Sequence, residues 1–150
     1  RLLGNASTRC ARGFPAIKQN GNLYVSRRNV DKQTLSSSDF VEVSNSEAHV
    51  EYYGNVKPSV DTAIQIRLFN YYKNVNYMLH GHVYVADGRM TDHKTPCGYI
   101  DEFDEVVKIT KDPAATNFSI NLRGHGCLIL AKDLDYFANR KLIGRPFPEL

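Results

Sequence analysis

The stretch Asn76-Tyr77-Met78-Leu79-His80-Gly81-His82-Val83-Tyr84-Val85 constrains this chain more than any other. Apolar and β-prone residues flank two histidines separated by one glycine. In a strand, residues i and i+2 point to the same face, so both imidazoles lie on one side. Glycine is a poor strand-interior residue on propensity alone, so the value of Gly81 is space on the opposite face. Two imidazoles on one face can share a metal ion, and they suit zinc, iron or nickel. The third candidate ligand is His125, in Asn121-Leu122-Arg123-Gly124-His125-Gly126-Cys127. It stands far along the chain, which suits a catalytic site assembled by the fold better than a closed local finger. The competing reading is a pair of strand histidines whose rings are simply hydrogen-bonded.

The 150 residues suffice for one domain with a real core, and residues 1–150 are read as a single domain. A net charge of +3, with the basic residues scattered, is too weak to imply nucleic acid. No apolar run reaches membrane-spanning length, so no membrane partner is expected either. Cys10, Cys97 and Cys127 are odd in number and include no local metal-binding pair. That argues against a disulfide framework and for a reducing, cytoplasmic setting. The chain starts at Arg1 and not at a methionine, so native residues are expected before it.

Local signals set the elements. Gly4-Asn5-Ala6-Ser7 reads as a turn, with loop anion binding as the functional alternative, and Ala6 to Cys10 as a short edge strand. Gly13-Phe14-Pro15 is expected to turn the chain. Asn20-Gly21 is a hairpin signal, followed by a strand over Asn22–Ser26. An N-cap is expected at Ser38 or Asp39, a strand at Phe40–Val43 and a further one at Glu51–Gly54. Ser59 is expected to cap a helix from about Val60 to Tyr72, which puts Asp61 in its first turn. His93 reads as a surface loop histidine, Thr95–Tyr99 as a compact strand and bend, and Cys97 as a small buried filler. Ile100–Lys111 reads as a helix whose acids, Asp101 to Glu105, form a solvated face, ended by Asp112-Pro113. Asn117–Leu122 and Cys127–Ala131 are strands about a tight turn at Arg123–Gly126. Asp133 is expected to cap a short helix through Asp135, Tyr136, Phe137 and Ala138, and Gly144–Pro148 is a terminal extension. No nucleotide-binding glycine fingerprint is present.

Taken together, these stretches resemble the class II aldolase/adducin-type domain. The resemblance runs from about Gly4 to Phe137 and rests on the order of its motifs. These are Gly4-Asn5-Ala6-Ser7, Tyr24-Val25-Ser26 with Asp39-Phe40-Val41, Lys57-Pro58-Ser59-Val60-Asp61, His80-Gly81-His82, Thr95-Pro96-Cys97-Gly98 and Gly124-His125-Gly126. It implies an α/β fold, an α/β/α sandwich with a mainly antiparallel central sheet. It implies a divalent metal, usually zinc, on His80, His82 and His125, and Asp61 at the position of an acid–base glutamate. Asn5, Ser26 and Ser59 would lie near a substrate phosphate. The implied function is a metal-dependent aldolase or lyase that works on a phosphorylated sugar or related carbonyl compound through an enediolate. The alternative is a noncatalytic adducin-like assembly domain. The resemblance and the short C-terminal region also imply a homo-oligomer, a tetramer, with residues borrowed from a neighbouring subunit. Three departures stand out. Asp61 is one methylene shorter than glutamate, Val60 replaces a hydroxyl-bearing residue, and Arg28 stands where a small residue is usual. Arg28 would either add phosphate affinity or block the pocket.

Overall fold

A computed structural model describes residues 13–30 and 34–144. The predicted Gly4–Ser7 turn, with Asn5, and the Ala6–Cys10 strand lie outside these residues.

Two strands, β1 (Gly13–Gln19) and β2 (Asn22–Ser26), are joined by Asn20-Gly21. Both turn residues have positive φ, 52° and 82°, as a two-residue hairpin requires. β3 (Phe40–Val43) continues the sheet beyond β2, and β4 (Tyr77–Gly81) pairs antiparallel with β1 on the other side. The chain then adds β5 (Tyr84–Val85), β6 (Arg89–Met90), β7 (Phe118–Leu122), β8 (Gly126–Ala131) and β9 (Leu142–Gly144). Among the described residues the main sheet has seven strands in the order β3-β2-β1-β4-β8-β7-β6, and β5 pairs with β9 separately. The β6–β7 pairing is parallel, and the other strand pairs are antiparallel. The α-helices of the described residues are α1 (Thr62–Tyr71), α2 (Asp101–Thr110) and α3 (Asp135–Ala138).

β8 shows how the layers form. All six of its residues are buried, and its side chains alternate between two cores. Leu128 and Leu130 join Ile64, Leu68 and Phe69 of α1 and Val106 of α2 on one face. Cys127 and Ile129 join Val83 and Val85 on the other, where Tyr136 and Phe137 of α3 pack. Helices therefore cover a mainly antiparallel sheet, as the resemblance implied. Among the described residues, no helix is long and apolar enough to cross a membrane.

Several local expectations need correction. Gly13-Phe14-Pro15 does not turn the chain but opens β1, opposite Gly81, His80 and Leu79. β2 pairs with β1 only from Ala16 on, so Pro15 sits where the strand has a single neighbour. Neither Ser38 nor Asp39 is an N-cap: Ser36 caps a 3-10 turn over Ser37–Asp39. Asp39 instead accepts hydrogen bonds from the Ser36 backbone and from Arg27, both at 2.9 Å. Glu51–Gly54 contributes only an isolated bridge, Val43 to Tyr52. Thr95–Tyr99 forms turns and no strand, and Leu134, not Asp133, stands at the N-cap position of α3, with no side-chain capping bond. α1 begins at Thr62, because Ser59 closes a separate turn in front of it: Ser59 O accepts from the Thr62 hydroxyl at 2.6 Å.

Candidate metal centre

His80 comes from β4, His82 from the bend just past its end, so the strand expected through both histidines stops at Gly81, and His125 comes from the turn between β7 and β8. β4 and β8 are neighbours with Gly81 opposite Cys127, so the turn lies against the end of β4. Glycine makes this approach possible. A Cβ on Gly126 would sit 2.0 Å from the Gly81 carbonyl oxygen and 2.9 Å from the His82 Cα. The turn is braced further by Tyr84, whose hydroxyl accepts from Gly124 N at 2.8 Å, and by Thr91, whose hydroxyl accepts from Arg123 N at 2.9 Å.

The three rings face one another. Their centroids are 5.1 Å apart for His80–His82, 4.6 Å for His80–His125 and 5.2 Å for His82–His125. One ligand nitrogen from each lies within 4.8 Å of the others. Tetrahedral zinc places its imidazole nitrogens about 3.4 Å apart, which is inside that limit. Hydrogen bonds fix which nitrogens serve. His80 Nδ1–H donates to the Cys127 carbonyl at 3.0 Å, which leaves Nε2 as the unprotonated nitrogen. His125 Nδ1 is 2.8 Å from Glu102 Oε2, and its buried Nε2 has no hydrogen-bond partner. The three residues fit a divalent metal.

Electrostatics agree. Burial first, then the neighbouring His125 and His82, hold the His80 pKa well below the ordinary histidine value, so this ring is neutral and able to ligate. His125 goes the other way, to about 10: burial opposes its charge, but Cys97 and Glu102 outweigh burial. A metal must therefore displace a proton there.

Asp61 occupies the N-cap position of α1, yet its side chain makes no capping bond. It is 4% exposed, with Oδ1 accepting from the Cys97 thiol at 3.4 Å and Oδ2 buried without a partner. Burial pushes its pKa up, against Cys97, His125 and the Gly98 amide. Ser26 and Ser59 are buried side by side, the Ser59 amide donating to Ser26 O at 3.1 Å. Arg28 Nε donates to the Pro58 carbonyl at 3.3 Å, which sets this guanidinium against the same segment. His93 is on the surface, as expected, with its ring 3.2 Å from Glu105.

Two expectations near the histidines need correction. Cys97 is exposed and not a buried filler. Glu102 and Glu105 are not solvated but 3% and 6% exposed. The signal for Glu102 was present: Glu102, Glu105, Val106 and Ile109 follow i, i+3, i+4, i+7, which is one helix face.

A sequence profile of the Class II Aldolase and Adducin N-terminal domain matches residues 1–140. Among solved structures, an L-fuculose 1-phosphate aldolase superposes with a TM-score of 0.70 at 14% identity, over 92% of this chain and 76% of that one. YgbL from Escherichia coli gives 0.68 at 15% identity, over 92% and 80%. The L-fuculose-1-phosphate aldolase from Thermus thermophilus gives 0.61 at 12%, over 91% and 80%. At such identities the likeness is one of fold. No curated protein sequence matches the chain.

Proposed function

Because the chain belongs to the class II aldolase and adducin N-terminal domain family, we propose that it is a metal-dependent lyase acting on a phosphorylated sugar or a related carbonyl compound. The observation that carries this reading is the convergence of three imidazoles, from two separate parts of the chain, around one point. Zinc is the proposed ion, since three imidazole nitrogens with an open position suit it. When bound, it supplies Lewis acidity to a substrate carbonyl. His80, His82 and His125 hold it. Asp61 moves a proton at the carbon next to that carbonyl, through Oδ2, the oxygen that Cys97 does not engage. A buried carboxylate with a raised pKa is suited to both accepting and returning a proton. Ser26, Ser59 and Asn5 hold the substrate phosphate, and the Arg28 guanidinium adds charge to that end of the site. The working form is a homo-oligomer, a tetramer, which light scattering at micromolar concentration would reveal; a fully active monomer contradicts it.

The test combines metal and turnover. Zinc-loaded protein is assayed against dihydroxyacetone phosphate with short aldehydes, ribulose phosphates and dehydratable sugar phosphates. Metal-dependent conversion is expected, and product identity separates carbon–carbon cleavage from epimerisation or dehydration. Asp61→Asn is expected to keep fold and metal and to lose about 10²- to 10⁴-fold in rate. Normal turnover by metal-loaded Asp61→Asn sinks its catalytic role. An inert panel with bound metal favours a noncatalytic assembly domain instead.

A further inference from the structure

We infer that Glu102 is a positioning residue for the metal centre: its carboxylate fixes the orientation and tautomer of His125 and so sets how tightly the three histidines hold a metal. This rests on the metal reading of the same cluster but not on any substrate.

The geometry is specific. Glu102 lies in the first turn of α2, on the face that packs inward with Val106, and is 3% exposed. Placing a carboxylate there is costly unless it is hydrogen-bonded. Its Oε2 is 2.8 Å from His125 Nδ1, and the pair is buried on both sides, with side-chain exposures of 8% for His125 and 4% for Glu102. A carboxylate only accepts, so Nδ1 must be the donating nitrogen and Nε2 the one turned toward the other two rings. Nε2 of His125 is also the buried nitrogen without a hydrogen-bond partner. The His80 ring is held through its own Nδ1 by another route, the Cys127 backbone carbonyl. The difference matters because a carboxylate raises the basicity of the ring it holds more than a carbonyl does. His125 also sits in a turn and not in a strand ladder, so its ring has more need of an external hold. α2 supplies it. The helix is tied to the same region a turn later, where Glu105 accepts from the His93 backbone at 3.0 Å and from Lys108 at 2.6 Å.

Zinc affinity of the purified chain, measured by competition with a chromophoric chelator, tests the inference without a substrate. Parent, Glu102→Gln, Glu102→Ala and Glu105→Gln proteins are compared. Losing such a carboxylate typically costs about 10- to 100-fold in metal affinity. Glu102→Ala is expected in that range, and Glu102→Gln in its lower part, because an amide oxygen still accepts from Nδ1. Glu105→Gln perturbs the same helix without touching His125, and is expected to leave zinc affinity within about twofold of the parent, outside the loss that a missing carboxylate partner causes. Proton–nitrogen NMR of the zinc-loaded proteins adds a readout that general loosening does not move: the downfield, exchange-protected His125 Nδ1–H signal of the parent, hydrogen-bonded to Glu102, is lost in Glu102→Ala. If the parent binds zinc and both Glu102→Gln and Glu102→Ala bind it equally well, the inference is wrong while the metal site stands. Equal weakening by Glu105→Gln makes Glu102 merely structural, which also overturns it. Failure of the parent to bind zinc removes the metal reading itself. If Glu102→Ala does not fold, the milder Gln variant decides.

Discussion

At the residue scale, the centre depends as much on what is missing as on what is present. The Gly81 carbonyl oxygen fills the space that a side chain on Gly126 would need. That atom belongs to a paired strand and cannot swing aside as a flexible side chain would. Gly126→Ala is therefore expected to cost about 1–3 kcal/mol, the range of forced overpacking, and to push the His125 turn away from β4. Urea unfolding would show the lost stability and zinc titration the weakened site; a variant matching the parent in both would contradict the contact. This explains why the histidine pattern was legible in the sequence. Glycine next to histidine on both segments reports a close backbone approach, and two i, i+2 histidines report a shared face. The Glu102 partner was harder to see, because a cluster of acids reads as solvated until one knows which helix face the sheet covers.

At the scale of elements, α2 is the clearest case of tertiary context overriding composition. Its first turn carries Asp101, Glu102 and Asp104, favourable at a helix N-terminus, and two of its glutamates turn inward. Glu105 is held by Lys108 first, then by the His93 backbone and ring, which together draw its pKa from 4.5 to about 2. A carboxylate depressed in this way adds stability above its unfolded value, and that stability is lost as pH falls toward the folded one. Glu105→Gln should thus melt below the parent at neutral pH, with the gap narrowing from pH 4.5 toward about 2. Melting curves across that range check it; a gap that stays constant would mean packing and not charge. Elsewhere the elements were legible where periodicity is strong. The Asn20-Gly21 hairpin, β3, β7, β8 and α2 follow their patterns. The 95–99 segment did not, since a β-prone run containing Pro96 and Gly98 is closed by turns: Tyr99 N donates to Pro96 O at 3.1 Å. Asp61 was displaced from the first turn to the N-cap for a related reason, the separate turn made by Ser59.

At the scale of the whole molecule, metal and fold are one equilibrium. The three histidines come together only when β4, β8 and the turn before β8 are in place, so a metal binds the native state and not the unfolded chain. Such binding stabilises by mass action, about 2.7 kcal/mol at a hundredfold excess over the dissociation constant. For a chain of this size that corresponds to about 5–10 °C in Tm. Protons compete with the metal for the same nitrogens. With His125 at about 10, binding displaces a proton there at any ordinary pH, so affinity rises as pH rises. Zinc should therefore raise Tm more at about pH 8 than at about pH 6, while magnesium and calcium, which prefer oxygen ligands, should do little. Scanning calorimetry with each ion at both pH values measures this. In His82→Ala the zinc increment should largely vanish, because two remaining imidazoles make a weak site. An equal increment in that variant would place the bound zinc somewhere other than the three histidines.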